Sequence, residues 1–241
     1  MNICITGASG DIGRAITERL AEPGNSLFLF GNKNTGALEA LLKSCREKGI
    51  SCLSYSGDLS DEGFAEESFR DIFTRFGHID VLIHTAGSAK LGLMTDLNSE
   101  DWDTVLGSSL TSFFRCCHAA VPGMVHEKSG RILAISSVWG IRGASCEAAY
   151  SASKGGLHAF TKALAKELAP SGITVNALAL GMIDTKMNDC LSEEDKQLIL
   201  DEIPAGYIAK PEEVAEMVSL LISAPSYLTG QIIGFDGGWQ V

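Results

Sequence analysis

Residues 2–16 read Asn2-Ile3-Cys4-Ile5-Thr6-Gly7-Ala8-Ser9-Gly10-Asp11-Ile12-Gly13-Arg14-Ala15-Ile16. A short apolar strand at 2–5 runs into a turn of small residues, and the turn opens directly into a helix. Small residues let backbone N–H groups approach a pyrophosphate, and the helix N-terminus adds a favourable partial charge. The same pattern also serves as a tight β-to-α turn that binds nothing. Its place after the first strand, at the head of the chain and before a helix, favours a dinucleotide site.

Outward from this turn, short apolar runs alternate with helical patterns almost to the end of the chain. Strands are expected at 2–5, 26–30, 51–55, 79–84, 131–135, 173–179 and 231–235. Their near-continuous apolar character suits strands buried on both faces. Helices are expected at 12–21, 36–48, 61–76, 100–126, 150–169 and 211–222. Right-handed crossovers between parallel strands then give one α/β domain over 1–241, a Rossmann-type doubly wound parallel sheet of about seven strands with helices on both faces. Ligands of such sheets sit at the carboxyl ends of the strands. The segment at about 182–206 is the least regular, and is expected to form a mobile substrate loop over that edge.

Composition narrows the function. The 241 residues carry 30 acidic against 19 Lys and Arg side chains, a formal net charge of −11. Phosphate backbones and anionic lipid surfaces require a basic face, so neither nucleic acid nor membrane is an expected partner. Seven cysteines are an odd number without a C-x-x-C pair, which reads as reduced thiols in a cytoplasmic protein. The histidines show no metal-ligand spacing, so no metal is expected, and all five are read as structural or surface residues. Cys116-Cys117, within the long helical pattern, is read as packing.

After the second strand, where an NAD-specific site places a carboxylate on the ribose 2′-hydroxyl, the chain has Asn32 and Lys33. A cation there suits a 2′-phosphate. NADP(H) is therefore the expected cofactor, with NAD(H) as the alternative.

Tyr150-Ser151-Ala152-Ser153-Lys154 opens a helix, and four-residue spacing puts phenol and ammonium on one face. A phenol has a pKa of about 10, and a neighbouring cation is expected to lower it and ease proton transfer. Thirteen residues earlier, Ser136-Ser137 follows the apolar strand at 131–135, so a hydroxyl at the strand's carboxyl end can donate to a substrate carbonyl as charge develops on its oxygen.

Taken together, these pieces resemble the short-chain dehydrogenase/reductase family over essentially the whole chain. The matching elements are T-G-x-x-x-x-x-G at 6–13, Asp58-Leu59 after the third strand, Ala86-Gly87 after the fourth, and Ser137, Tyr150 and Lys154. Val175-Asn176-Ala177, Gly181 to Thr185 and Asp236-Gly237-Gly238-Trp239 complete the set. The resemblance implies that Tyr150 is the general acid in reduction, that Ser137 polarises the carbonyl, and that Lys154 holds the nicotinamide ribose. It also implies a cofactor site made of Gly7, Ser9, Gly10, Asp11, Ile12 and Gly13 at the phosphate turn, Asp58 and Leu59 at adenine, Thr85, Ala86 and Gly87 after the fourth strand, and Gly181, Ile183 and Thr185 toward the nicotinamide. A homotetramer or homodimer is implied too, with helices 100–126 and 150–169 packed against their mates and Trp239-Gln240-Val241 near another interface.

Four positions depart from the family. Asp11 replaces the second glycine of the phosphate turn, where it is placed to cap the helix but near phosphates of like sign. His84-Thr85 stands for Asn-Asn, and Leu180 for proline. Ser109 stands where the family carries the asparagine that holds a relay water, so the proton relay is expected to be altered rather than the hydride chemistry lost.

Two carbonyls fit. General similarity is to the bacterial 3-oxoacyl-(acyl-carrier-protein) reductases, which implies a 3-oxoacyl thioester. The arginines with which those enzymes dock an acidic carrier fall at Lys128 and Ser171, so steering of a carrier is weak. The runs Ser136-Ser137-Val138-Trp139-Gly140, Gly143 to Glu147 and Tyr150-Ser151 more closely resemble the elongation factor P 5-aminopentanone reductases. Their substrate is a ketone on a protein lysine with a free amine, which Glu147 is suited to receive, and Trp139 is a candidate substrate platform. Structural readings stand beside both residues, a solvated loop acid and a packed loop aromatic. A non-catalytic dinucleotide sensor or scaffold is the alternative of a different class.

Overall fold

The computed structural model describes residues 1–189 and 191–239. Cys190 and the Gln240-Val241 end lie outside them, as does the interface expected of those two terminal residues. Seven strands, β1 (Asn2–Thr6), β2 (Ser26–Gly31), β3 (Ser51–Ser56), β4 (Val81–His84), β5 (Gly130–Ser137), β6 (Ile173–Leu180) and β7 (Ile232–Phe235), form one parallel sheet in the order β3-β2-β1-β4-β5-β6-β7. This is the doubly wound α/β fold expected from the alternation of apolar runs and helices.

Period-two alternation divides each strand between two cores. Ile3, Ile5, Leu27 and Leu29 face helices α1 (Asp11–Leu20), α2 (Thr35–Glu47) and α9 (Pro211–Ile222), where they meet Ile16, Leu38 and Val218. Cys4, Phe28 and Phe30 face α3 (Glu62–Phe76), α5 (Ser112–Glu127) and α7 (Ala148–Leu168), against Phe69, Phe113 and Leu157. Cys116 and Cys117 lie in this second core, where burial pushes both thiols up. They are packing residues, as read from the sequence.

The helix expected at 100–126 is divided. It comprises α4 (Ser99–Leu106), a π turn over Gly107–Thr111, and α5. Sequence periodicity does not register one displaced turn. Two further helices occur, α6 (Trp139–Arg142) directly after β5 and α8 (Glu193–Glu202) within the segment read as irregular. A capping box between Ser192 and Asp195 and three acids in the first turn start α8. Among the described residues no helix is long and apolar enough to cross a membrane.

Strand order reverses between β1 and β4, which opens a crevice at the carboxyl edge of the sheet. The turn after β1, the 85–87 segment after β4, the end of β5 and the 181–185 segment after β6 all meet there.

Candidate active site

The β1 and β4 ends are stitched together by Thr6. Its Oγ1 accepts from the amides of Thr85 and Ala86, both at 3.2 Å, while its carbonyl accepts from Thr85 Oγ1 at 2.6 Å. Gly7 follows at φ +64°, and a Cβ there would lie 2.8 Å from the Ala86 nitrogen. Only glycine fits. A Cβ on Gly13 would meet the Gly7 carbonyl oxygen at 2.2 Å, so Gly13 sets how closely α1 packs on the turn. The N-cap, Gly10, supplies no side-chain cap. Unspent first-turn amides at the positive end of α1, behind a turn this narrow, fit a dinucleotide pyrophosphate.

Asp11 does not cap α1. It occupies the first helical position rather than the cap, and its Oδ2 instead accepts from the backbone N–H of Lys186 at 2.8 Å. The phosphate turn is thereby tied to the segment after β6. Ser9 reaches the end of β2, where its Oγ lies 3.0 Å from the position of a Cβ on Gly31. Asn32 and Lys33 are exposed beyond that strand, and Asn34 caps α2 by accepting from Ala37 N–H at 3.2 Å. Asp58 is exposed and its Oδ1 accepts from the Ser60 amide and hydroxyl, each at 2.8 Å, while Leu59 is buried. Ile183 is buried in the first core, and its carbonyl accepts from Asn188 Nδ2 at 2.7 Å. Thr185 is half-buried.

At the end of β5, Ser137 Oγ accepts from the Trp139 amide at 3.2 Å. Its own hydrogen is then directed to Tyr150, a bond that favours the phenolate. Desolvation outweighs that bond and, with the Glu147 charge nearby, pushes the Tyr150 pKa up to about 12. Lys154 is 4% exposed, and its Nζ donates to the Ile135 carbonyl at 3.1 Å and lies 5.5 Å from the centre of the Tyr150 ring. Burial pushes the Lys154 pKa down to about 8. The sequence led us to expect a phenol made more acidic by its neighbour. The free protein differs because desolvation, which penalises both charged forms, exceeds the attraction between them. A phenol that keeps its proton through the neutral range is a proton donor.

Two buried histidines bracket this group; the sequence reading took both as structural or surface residues, and named His84 only as a departure from the family's asparagine. His158 Nε2 lies 2.8 Å from Ser136 Oγ, and the ring also bonds the Gly140 carbonyl; burial pushes its pKa down to about 4. His84 bonds Thr6 Oγ1 and the Ser109 carbonyl. The available signal was the position of His84 itself, a polar residue closing a strand that is otherwise wholly apolar. Ser109 lies fully buried in the π turn, and its hydroxyl has no partner among the described residues.

Around the outer crevice, Trp139 and Trp239 meet with ring centres 5.0 Å apart, and Trp239 Nε1 donates to Glu202 Oε2 of α8 at 3.0 Å. Glu147 immediately precedes α7, is partly buried, and desolvation raises its pKa. Gly92 N–H donates to the Cys146 carbonyl at 2.9 Å, joining the segment after β4 to the loop that carries Glu147. Lys128 and Ser171 lie at the amino ends of β5 and β6, at the opposite edge of the sheet from Ser137.

A family profile described as enoyl-(acyl carrier protein) reductase matches residues 7–240. The uncharacterized oxidoreductase YmfI of Bacillus subtilis (strain 168) is 41% identical over 238 residues, 98% of this chain and 97% of that protein. The 3-oxoacyl-[acyl-carrier-protein] reductase FabG of Thermotoga maritima is 37% identical over 235 residues, 97% of this chain and 95% of that one. A crystal structure from Agrobacterium tumefaciens, of a protein provisionally assigned as a gluconate dehydrogenase, superposes with a TM-score of 0.94 at 30% identity, covering 99% of this chain and 95% of the other. With the sheet order and the crevice, these likenesses establish that the chain belongs to the short-chain dehydrogenase/reductase family, the NAD(P)-dependent oxidoreductases.

Proposed function

We propose that the chain is an NADPH-dependent reductase of a ketone carried on a protein lysine and bearing a free amine, the reaction of the elongation factor P 5-aminopentanone reductases. The observation that carries the reductase reading is the convergence of Ser137, Tyr150 and Lys154 at the carboxyl end of β5. Bound nicotinamide supplies the hydride. Ser137 donates to the carbonyl oxygen, Tyr150 delivers its hydroxyl proton to the alkoxide, and Lys154, anchored on the Ile135 carbonyl, holds the ribose and returns a proton to the phenolate. The first-turn amides of α1 hold the pyrophosphate, and Lys33 meets the 2′-phosphate.

The substrate assignment rests on Glu147. A carboxylate already partly stripped of water gains more from an incoming ammonium than a fully solvated one does. Trp139, packed against Trp239, supplies an apolar face just beyond the end of β5. A 3-oxoacyl thioester is the second reading, favoured by identity to the FabG reductases over nearly the whole chain. The pair Lys128 and Ser171 in place of two docking arginines weakens carrier steering, but it lies at the opposite edge of the sheet from Ser137. A pure dinucleotide sensor is the third reading, and turnover excludes it. We further propose that α5 and α7 pair with a second copy, across the apolar face on which Phe114 is 42% exposed.

NADPH oxidation with aminopentanone-modified elongation factor P and with acetoacetyl thioester tests the assignment. Rapid turnover of the thioester alone defeats it. Tyr150→Phe is expected to lower kcat by about 10²–10⁴-fold with NADPH affinity retained, and near-normal turnover would remove Tyr150 from its role. Glu147→Gln is expected to lower kcat/KM for the amine-bearing ketone by about tenfold or more and to leave the thioester reaction unchanged.

A further inference from the structure

His84 closes β4 with its imidazole fully buried, its ring centre 5.0 Å from that of Phe113. Burial beside the Lys154 charge pushes its pKa down to about 3, so the ring is neutral, with one donor and one acceptor nitrogen. Nε2 lies 3.0 Å from the Ser109 carbonyl oxygen, which can only accept, so Nε2 carries the hydrogen. Nδ1 is then the acceptor and takes the Thr6 hydroxyl hydrogen at 2.9 Å. Thr6 Oγ1 in turn accepts from the Thr85 and Ala86 amides. The tautomer is fixed from both sides.

The bond to Ser109 falls where the helical ladder is displaced. In the π turn the Ser112 amide reaches back to the Gly107 and Ser109 carbonyls, and the Ser109 carbonyl also accepts from Ser112 Oγ at 3.2 Å and, from outside the turn, from His84 Nε2. The Ser109 hydroxyl is buried without a partner among the described residues. Its oxygen lies 3.5 Å, and Lys154 Nζ 3.4 Å, from the position a Cβ on Gly87 would occupy. An unspent hydroxyl and the buried ammonium therefore face the same small space.

We propose that His84 is a positioning residue for proton supply to Tyr150: its Nε2–H grips the Ser109 carbonyl, fixes the π turn, and so aims the Ser109 hydroxyl at the space shared with Lys154 Nζ. This deepens the reductase reading and rests on it. Each turnover moves one proton from Tyr150 to the alkoxide, one from Lys154 to the phenolate, and one from solvent, by way of the Ser109 hydroxyl, back to Lys154. The hydride comes from the nicotinamide, so charge and atoms balance.

A double-mutant cycle on ketone reduction tests the inference, with thermal midpoint and NADPH affinity measured on every variant. His84→Phe keeps the ring volume and removes the donor, whereas His84→Gln restores an N–H at similar reach. His84→Phe and Ser109→Ala are each expected to lower kcat by about tenfold with KM and NADPH affinity within about twofold. The double variant is expected to be no slower than the slower single, and His84→Gln to keep most of kcat. Unchanged kcat in folded His84→Phe, effects that multiply in the double variant, or His84→Gln as slow as His84→Phe would each overturn the proposal. Should His84→Phe not fold, Ser109→Ala decides alone, and unchanged kcat there overturns it. A wild-type protein inert toward every ketone defeats the reductase reading itself; active wild type with unaltered variants defeats only the role of His84.

Discussion

Lys154 Nζ lies over the ring of Tyr150, 5.5 Å from its centre, and is tethered by its bond to the Ile135 carbonyl. The charge therefore addresses the π face, and burial decides the acidity of both groups. Tyr150 is held up at about 12 and Lys154 down at about 8.

A pH profile follows from that separation. In the free protein Lys154 loses its proton as pH rises through about 8, while Tyr150 keeps its own until about 12. For reduction, kcat/KM reports the free enzyme and is expected to fall with a single-proton alkaline limb near pH 8. Lys154→Arg, whose guanidinium stays charged, is expected to be slower and to lack the limb below pH 10. A wild-type profile flat from pH 6 to 10 would contradict the role of the ammonium.

Cofactor choice is expected to turn on Lys33, exposed just beyond β2. Lys33→Glu replaces attraction for a 2′-phosphate by repulsion, and is expected to weaken NADPH by about tenfold or more while changing NADH little. Fluorescence titration with both nucleotides checks this, and an unchanged preference would place the 2′-phosphate elsewhere.

Acid stability is the third outcome. An unfolded histidine has a pKa of about 6.5, against about 3 for His84 and about 4 for His158 in the fold. Between those limits the unfolded chain binds protons that the native chain refuses, so stability rises with pH there. It is fully present above about pH 6.5 and is lost as pH falls through the interval. Thermal midpoints at pH 7.5, 5.5 and 4.5 are expected to decline in that order, and His158→Gln to make the decline shallower. Equal slopes in the two proteins would show that His158 does not contribute.

Much of this arrangement was legible in the sequence because it is local. Gly13 is demanded by a contact within its own turn and Gly7 by the positive φ of that turn, and Tyr150 and Lys154 are placed on one face by helical spacing alone. The central strands β1, β2 and β4 were found because burial on both faces leaves them almost uninterruptedly apolar. What escaped depends on distant partners. In the π turn at 107–111 the Ser109 carbonyl accepts from a ring 25 residues earlier in the chain as well as from Ser112, and no periodicity within 100–126 encodes the distant partner. The partner of Asp11 is 175 residues away, so its carboxylate was read as a cap. Helix α8 was legible in principle: the Ser192 and Asp195 spacing is a start signal, masked because the helix buries no apolar face.

The contact between Trp139 and Trp239 makes the protein its own optical probe. Two of its three indoles sit edge to face, one on the segment that follows β5 and the other bonded to Glu202 of α8. Any displacement of α8 alters the surroundings of that pair, so intrinsic emission, without an added label, reports on the outer wall of the crevice while ligands come and go.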